Sequence, residues 1–195
     1  MSLTPETFKL RGFGKTYSWI DLVNSEEYDG FGFLSDHLAD ASWTTMFLKH
    51  WSLGSCFSRN AEPRTFNRMR SFLRRVAETI ASGRSLSSRD LKIINNALRS
   101  PVHRFLRAGR SVPYSLEIVP FNHDWHWVQA EIFKSLAAML AEGQEERLKI
   151  CPNSGCRWVF FDQTHGNRRK WCSDLRCGNR DKVRRFRERR AASRR

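Results

Sequence analysis

The sequence predicts an α+β protein: a predominantly helical N-terminal body with a small sheet, then a compact four-cysteine module that runs into a basic helix. Three observations predict it. Apolar residues recur at three- and four-residue spacing in most segments between about 40 and 142. Two runs between Pro101 and Phe121 are instead rich in β-branched and aromatic residues. Four of the five cysteines, Cys151, Cys156, Cys172 and Cys177, lie just ahead of an arginine-rich end. A chain of 195 residues accommodates one main domain and a small appendage, here divided as 1–148 and 149–195.

Taken in order, "YSWIDLVNS" alternates in a way that fits a half-buried strand, and "YDGFGF" after it reads as a glycine-broken loop. Trp43, Phe47, Leu48 and Trp51 then mark a helix that Leu53-Gly54 can end. From Glu62 to Ala81, Phe66, Met69, Leu73, Val76 and Ile80 share one face, with Pro63 in the first turn and Gly83 as the stop. Ser87 or Ser88 can cap a third helix through Leu91, Ile94 and Leu98, broken at Ser100-Pro101. "VHRFLR" and "YSLEIVPF" form a hairpin around 109–113. A long helix follows from about Asp124 to Glu142, capped by Asn122 or Asp124 and ended by Gly143.

The cysteines are spaced C-x4-C, fifteen residues, C-x4-C. Two short pairs joined by a hairpin supply the four thiolates that a tetrahedral structural zinc requires. Pro152, Gly155 and Gly178 flank the ligands, where tight turns aim backbone amides at sulfur. The competing readings are two disulfides or four buried thiols, an iron–sulfur cluster, and thiol–disulfide exchange, which the absence of C-x-x-C disfavours. Clustered cysteines in a reducing compartment are more often metal ligands. One Zn2+ per chain, in a treble-clef-like finger, is therefore expected. Cys56, alone beside Phe57, reads as a small buried hydrophobe.

The stretch from Cys151 through "CRWVFFD" to "RRKWCSDLRCGNRDK" closely resembles the bacterial CGNR-type zinc finger, on the four cysteines, the run Cys177-Gly178-Asn179-Arg180, and Trp158, Phe160, Asp162, Trp171 and Ser173. "WIDLVNS", with Asp21 and Asn24, is similar to the domain that commonly precedes this finger in proteins described as stress-induced transcription regulators. The resemblance implies a DNA-binding finger fused to a domain that senses a ligand or mediates association.

Charge points the same way. The net charge is +14, and residues 151–195 hold 14 Lys and Arg against 4 Asp and Glu, so +10 of the excess is C-terminal. Such a concentration seeks a polyanion. Arg168, Arg169 and Lys170 precede the third cysteine, and Arg180, Lys182, Arg184 and Arg185 open the basic helix; these seven are the candidate nucleic-acid contacts, with Arg180 the expected base reader beside the metal-fixed Cys177. Trp158, Phe160 and Trp171 read as the finger's own small core ahead of base-stacking platforms.

Double-stranded DNA is the expected partner and structured RNA the alternative, with a small-molecule effector and a homodimer as further partners of the body. Asp21 and Asn24 either fasten a turn or line a ligand pocket. His123 and His126 form an H-x-x-H whose competing role is helix capping and aromatic packing by their neighbours. No enzyme activity is expected. The competing nuclease reading needs a catalytic metal site, for which His165, Asp162 and Asn167 are the available groups. With no apolar run near ~20 residues and no signal-peptide pattern, a cytoplasmic protein with no membrane partner is expected.

Overall fold

The computed structural model describes residues 17–29, 34–53, 63–108, 113–122 and 124–193. In chain order the elements are α1 (Ser18–Val23), β1 (Glu26–Tyr28), β2 (Leu34–Asp36), a 3-10 turn, α2 (Ala41–His50), α3 (Pro63–Ala81), α4 (Ser88–Ala97), β3 (Val102–Ala108) and β4 (Tyr114–Pro120). Then come α5 (Trp125–Ala141), a second 3-10 turn, β5 (Leu148–Ile150), β6 (Val159–Phe161), a π turn (Asp174–Gly178) and α6 (Asn179–Ala192). The strands pair as three separate antiparallel hairpins, β1–β2, β3–β4 and β5–β6. The fold is thus α+β, with its small sheet divided into three.

The helices form where spacing and caps agree. Asp40 accepts from Ser42 N at the start of α2. Ser87 and Asp90 build a reciprocal capping box on α4. Asp124 accepts from Trp127 N at the start of α5. Gly83 and Gly143 end α3 and α5 at φ +72° and +63°, a conformation that costs a residue with a Cβ.

One expectation fails. "YSWIDLVNS" is not a strand: Ser18–Val23 is a helix, every residue of it buried. The helix packs on α3 and α5, and Trp19, Ile20, Leu22 and Val23 share one buried apolar cluster with Leu73 and Val76 of α3 and Val128, Ile132 and Leu136 of α5. A helix covered on all sides has no polar face, so six residues gave no 3.6-residue signal against the apparent alternation. Cys56, His123 and the turn at 109–112 lie outside the described residues, while His126 sits in the first turn of α5.

The core does not stop at the boundary expected at 148/149, which falls within β5. Leu148, Val159 and Phe161 belong to the same apolar cluster as α1, α3 and α5, with β5 against α3 and β6 against α1.

Candidate metal centre

Strand β6 has two buried faces, and its period of two divides them. Val159 and Phe161 enter the main core. Trp158 and Phe160 join Cys151, Cys156 and Cys177 in a second cluster, closed by Trp171 and Cys172. The three aromatics are therefore the finger's own core, as their spacing predicts.

The β5–β6 turn carries the first ligand pair. Cys151 N donates to Trp158 O at 2.9 Å, which continues the hairpin, and Cys156 N donates to Asn153 O at 2.9 Å. Asn153 Oδ1 accepts from Gly155 N at 3.1 Å, folding the four-residue loop back on itself. The left-handed residue of this knuckle is Arg157 (φ 54°), not Gly155. The second pair comes from the helix side: Cys172 precedes the π turn and Cys177 lies within it, one turn ahead of α6. Ser173 caps that turn, its side chain accepting from Arg176 N.

Gly178 has an unexpected reason. It is helical (φ −62°), so no turn requires it. A Cβ there would stand 3.3 Å from the Trp171 ring and 3.4 Å from Asp174 Oδ1. The glycine lets the indole close over the metal-bearing turn.

All four sulfurs lie within 4.8 Å of one another, with Cys156 and Cys172 Sγ 3.5 Å apart and Cys172 and Cys177 Sγ 3.6 Å apart. Zn–S bonds of about 2.3 Å at tetrahedral angles require sulfur separations of about 3.8 Å, so the set fits zinc. Three of the cysteines are buried. Hydrogen bonds from the Cys156 and Cys172 thiols hold Cys151 far below the ordinary thiol range. The same sharing pushes Cys156 up to about 12 and Cys172 higher still. A divalent cation at the centre stabilises the thiolate forms that such crowding opposes. Asn153 Nδ2 approaches Cys177 Sγ at 3.6 Å and supports that sulfur from outside.

Residues 147–190 match the family model of the CGNR zinc finger. The C-terminal module is a CGNR zinc finger. It holds one zinc ion per chain through Cys151, Cys156, Cys172 and Cys177. No curated protein matches the chain. No helix among the described residues is long and apolar enough to cross a membrane.

Other predicted residues hold the finger together. Asp162, fully buried, accepts from Lys149 Nζ (2.6 Å), Arg169 N (2.7 Å) and both N and Oγ1 of Thr164 (2.9 and 2.6 Å). Against the upward pull of burial, these donors keep it well below the usual carboxylate range. Lys149 also donates to the carbonyls of Asn167 and Arg169, and Asn167 Nδ2 donates to Glu146 O. His165 is exposed. Among the described residues, the four cysteines are the one group of three or more His, Cys, Asp or Glu close enough to share a metal.

The seven basic candidates divide. Arg169 turns inward, stacking over the Phe160 ring (4.7 Å) and donating to the carbonyls of Trp171 and Cys172. Arg180 Nη1 donates to Asp29 O at 2.6 Å, and Arg176 in the π turn lies 3.9 Å from Glu27, so the start of α6 and the turn before it are moored to β1 and the residue that follows it. Arg184 and Arg185 reach back to Asp181 at 2.7 and 2.8 Å while staying about 60% exposed. Arg168, Lys170 and Lys182 are exposed.

Sequence reasoning singled out Asn24 without its role in seating the finger, and missed Arg74. Asn24 Nδ2 donates to Val159 O (2.7 Å) and its Oδ1 accepts from Val159 N (2.9 Å), all buried. Arg74, on α3, donates to Val23 O and to Arg157 O. Asp21 instead accepts from Trp51 Nε1 at 3.1 Å, and burial raises its carboxyl to about 7. Only the "DLVN" spacing in α1 hinted at such use.

Proposed function

We propose that this protein is a zinc-dependent DNA-binding protein of the transcription-regulator kind, with α6 as its nucleic-acid element. One observation carries the reading. Helix α6 bears seven basic residues against two acidic ones, is exposed from Lys182 onward, and is fixed at its start by Cys177 and by the Arg180–Asp29 bond. A rigidly mounted cationic helix concentrates counterions that a duplex releases on binding.

The contacts differ from those that spacing alone suggests. Arg169 and Arg180 spend donors within the protein, leaving Arg168, Lys170, Arg184 and Arg185 for phosphate. Base reading moves to the opposite side of α6, where Asn179, Lys182, Val183 and Phe186 share a face at helical spacing. Val183 and Phe186 are about half exposed there and suit contact with thymine methyls.

Selection of the full zinc-loaded chain against random duplex and RNA libraries, followed by salt titration, tests this. Four phosphate contacts give a log-log slope of about −3.6 on duplex DNA. Lys182→Ala should relax preference at one position, and Arg168→Ala should weaken all sequences alike with a slope about one unit flatter. Binding that ignores salt, or preferential recovery of structured RNA, would overturn the DNA reading.

A further inference from the structure

The β3–β4 hairpin stands away from the rest of the protein. Every residue of β3 after Val102, and of β4 before Val119, is exposed, although the ladder is complete from Val102↔Pro120 to Ala108↔Tyr114. An isolated two-stranded hairpin is marginal in water at best. Among the described residues both of its outer edges are without a neighbouring strand, the arrangement that invites pairing with another chain.

Its two faces are unlike. One carries His103, Phe105, Arg107 and Glu117 and is furnished with its own contacts: Arg107 meets Glu117 at 2.6 Å and lies over Phe105, while His103 packs against Phe105 and Phe121. The other, by register, carries Arg104, Leu106, Ala108, Tyr114, Leu116 and Ile118. There Leu106, Tyr114, Leu116 and Ile118 are 71%, 68%, 64% and 48% exposed. Together they present on the order of 400–500 Å² of apolar surface, as much as the largest patch on a typical monomer. With Arg104, Ala108 and the strand edges the face approaches the roughly 800 Å² per partner of a standard interface.

We propose that this face is a homodimerisation surface, covered by the same face of a second copy of the chain. The pattern is self-complementary. A two-fold axis lying between two such faces, across the strands at the Leu106↔Leu116 pair, sets each leucine against its own equivalent. It also sets long Arg104 opposite small Ala108, and Ile118 opposite Tyr114, so large meets small on one strand and the single charge stays near a phenol. A face with one cation and no anion offers little to a strongly charged partner.

Sedimentation of the zinc-loaded full chain, without nucleic acid, between about 0.1 and 100 μM tests the proposal independently of the DNA reading. The parent should sediment at twice the 22.9 kDa chain mass. Leu106→Glu combined with Leu116→Glu should raise the dissociation constant at least ~100-fold while zinc content stays at one per chain. Because each Leu106 faces its twin, a mixture of Leu106→Glu and Leu106→Lys chains should restore the dimer that neither forms alone. A parent that stays monomeric at 100 μM, a double variant that dimerises as tightly as the parent, or a mixture that fails to associate overturns the assignment.

Discussion

The hairpins β5–β6 and β3–β4 reverse what strand length suggests. The first has strands of three residues and the second of seven, yet β6 of the short one is buried on both faces and the long one lies in solvent. What secures β5–β6 is its neighbours: the zinc cluster beneath Trp158 and Phe160, the main core above Val159 and Phe161, and the side chains of Asn24 and Arg74 at its edge. A strand's stability lies in the surfaces it separates more than in its ladder.

The largest test of that contrast is to remove the metal from the short hairpin. Structural zinc contributes on the order of 10 kcal/mol to a small finger. Cys172→Ser should lose zinc by metal analysis. Because Val159 and Phe161 line the common core, it should also lower the melting temperature of the whole chain, seen as one transition by calorimetry; a body that melts unchanged would show the two parts to be energetically separate.

Next in size is the clamp. Asn24→Ala strands a buried donor and a buried acceptor at Val159, each costing about 1–3 kcal/mol, so chemical denaturation should show a loss of about 4 kcal/mol with zinc still bound at saturating metal.

Asp21 adds a dependence on pH. Its folded value, about 7, lies above the ordinary aspartate value of 3.8, so the folded state binds the proton more tightly. The associated stability is fully present below about pH 4 and is lost as pH rises through 7. Between pH 5 and 8 the chain should lose about 2.5 kcal/mol from this group. In Asp21→Asn, which keeps an acceptor for Trp51, that slope should vanish from the denaturation midpoints.

The smallest effect belongs to the long hairpin. Leu106→Glu, at a position surrounded by solvent, should change monomer unfolding by less than about 0.5 kcal/mol. A larger loss, measured at concentrations too low for association, would mean that the hairpin is already packed on its own chain.

Local signals in the sequence correspond well to the structure. The caps at Asp124 and Ser87, the apolar stripe of α3, and the cysteine spacing each reflect forces between residues a few positions apart, and they marked α2 to α6 and the zinc ligands. The rest depended on distance. Asn24 and Val159 are 135 residues apart and Arg74 and Arg157 are 83 apart, and a side chain that bonds a remote peptide group leaves no pattern near itself. The same applies to Arg169 and Arg180: an arginine destined for a carbonyl has the same composition as one destined for phosphate. Helix α1 was hidden because complete burial removed the polar face by which a helix is recognised.

The Asn24 amide also makes the seating of β6 depend on a single donor and acceptor pair. A primary amide offers one donor and one acceptor, the same pair a peptide group shows to a neighbouring strand, and here it stands in for a strand along the edge of β6. Aspartate in its place would keep the shape of the side chain and exchange the donor for a second acceptor: the oxygen facing Val159 N would still accept, while an ionised one facing Val159 O would set a carboxylate against a carbonyl. Shape would be preserved and the contact would become repulsive. One exchanged atom, at a site remote in sequence from the cysteines, would thus loosen the strand on which the zinc knuckle is built.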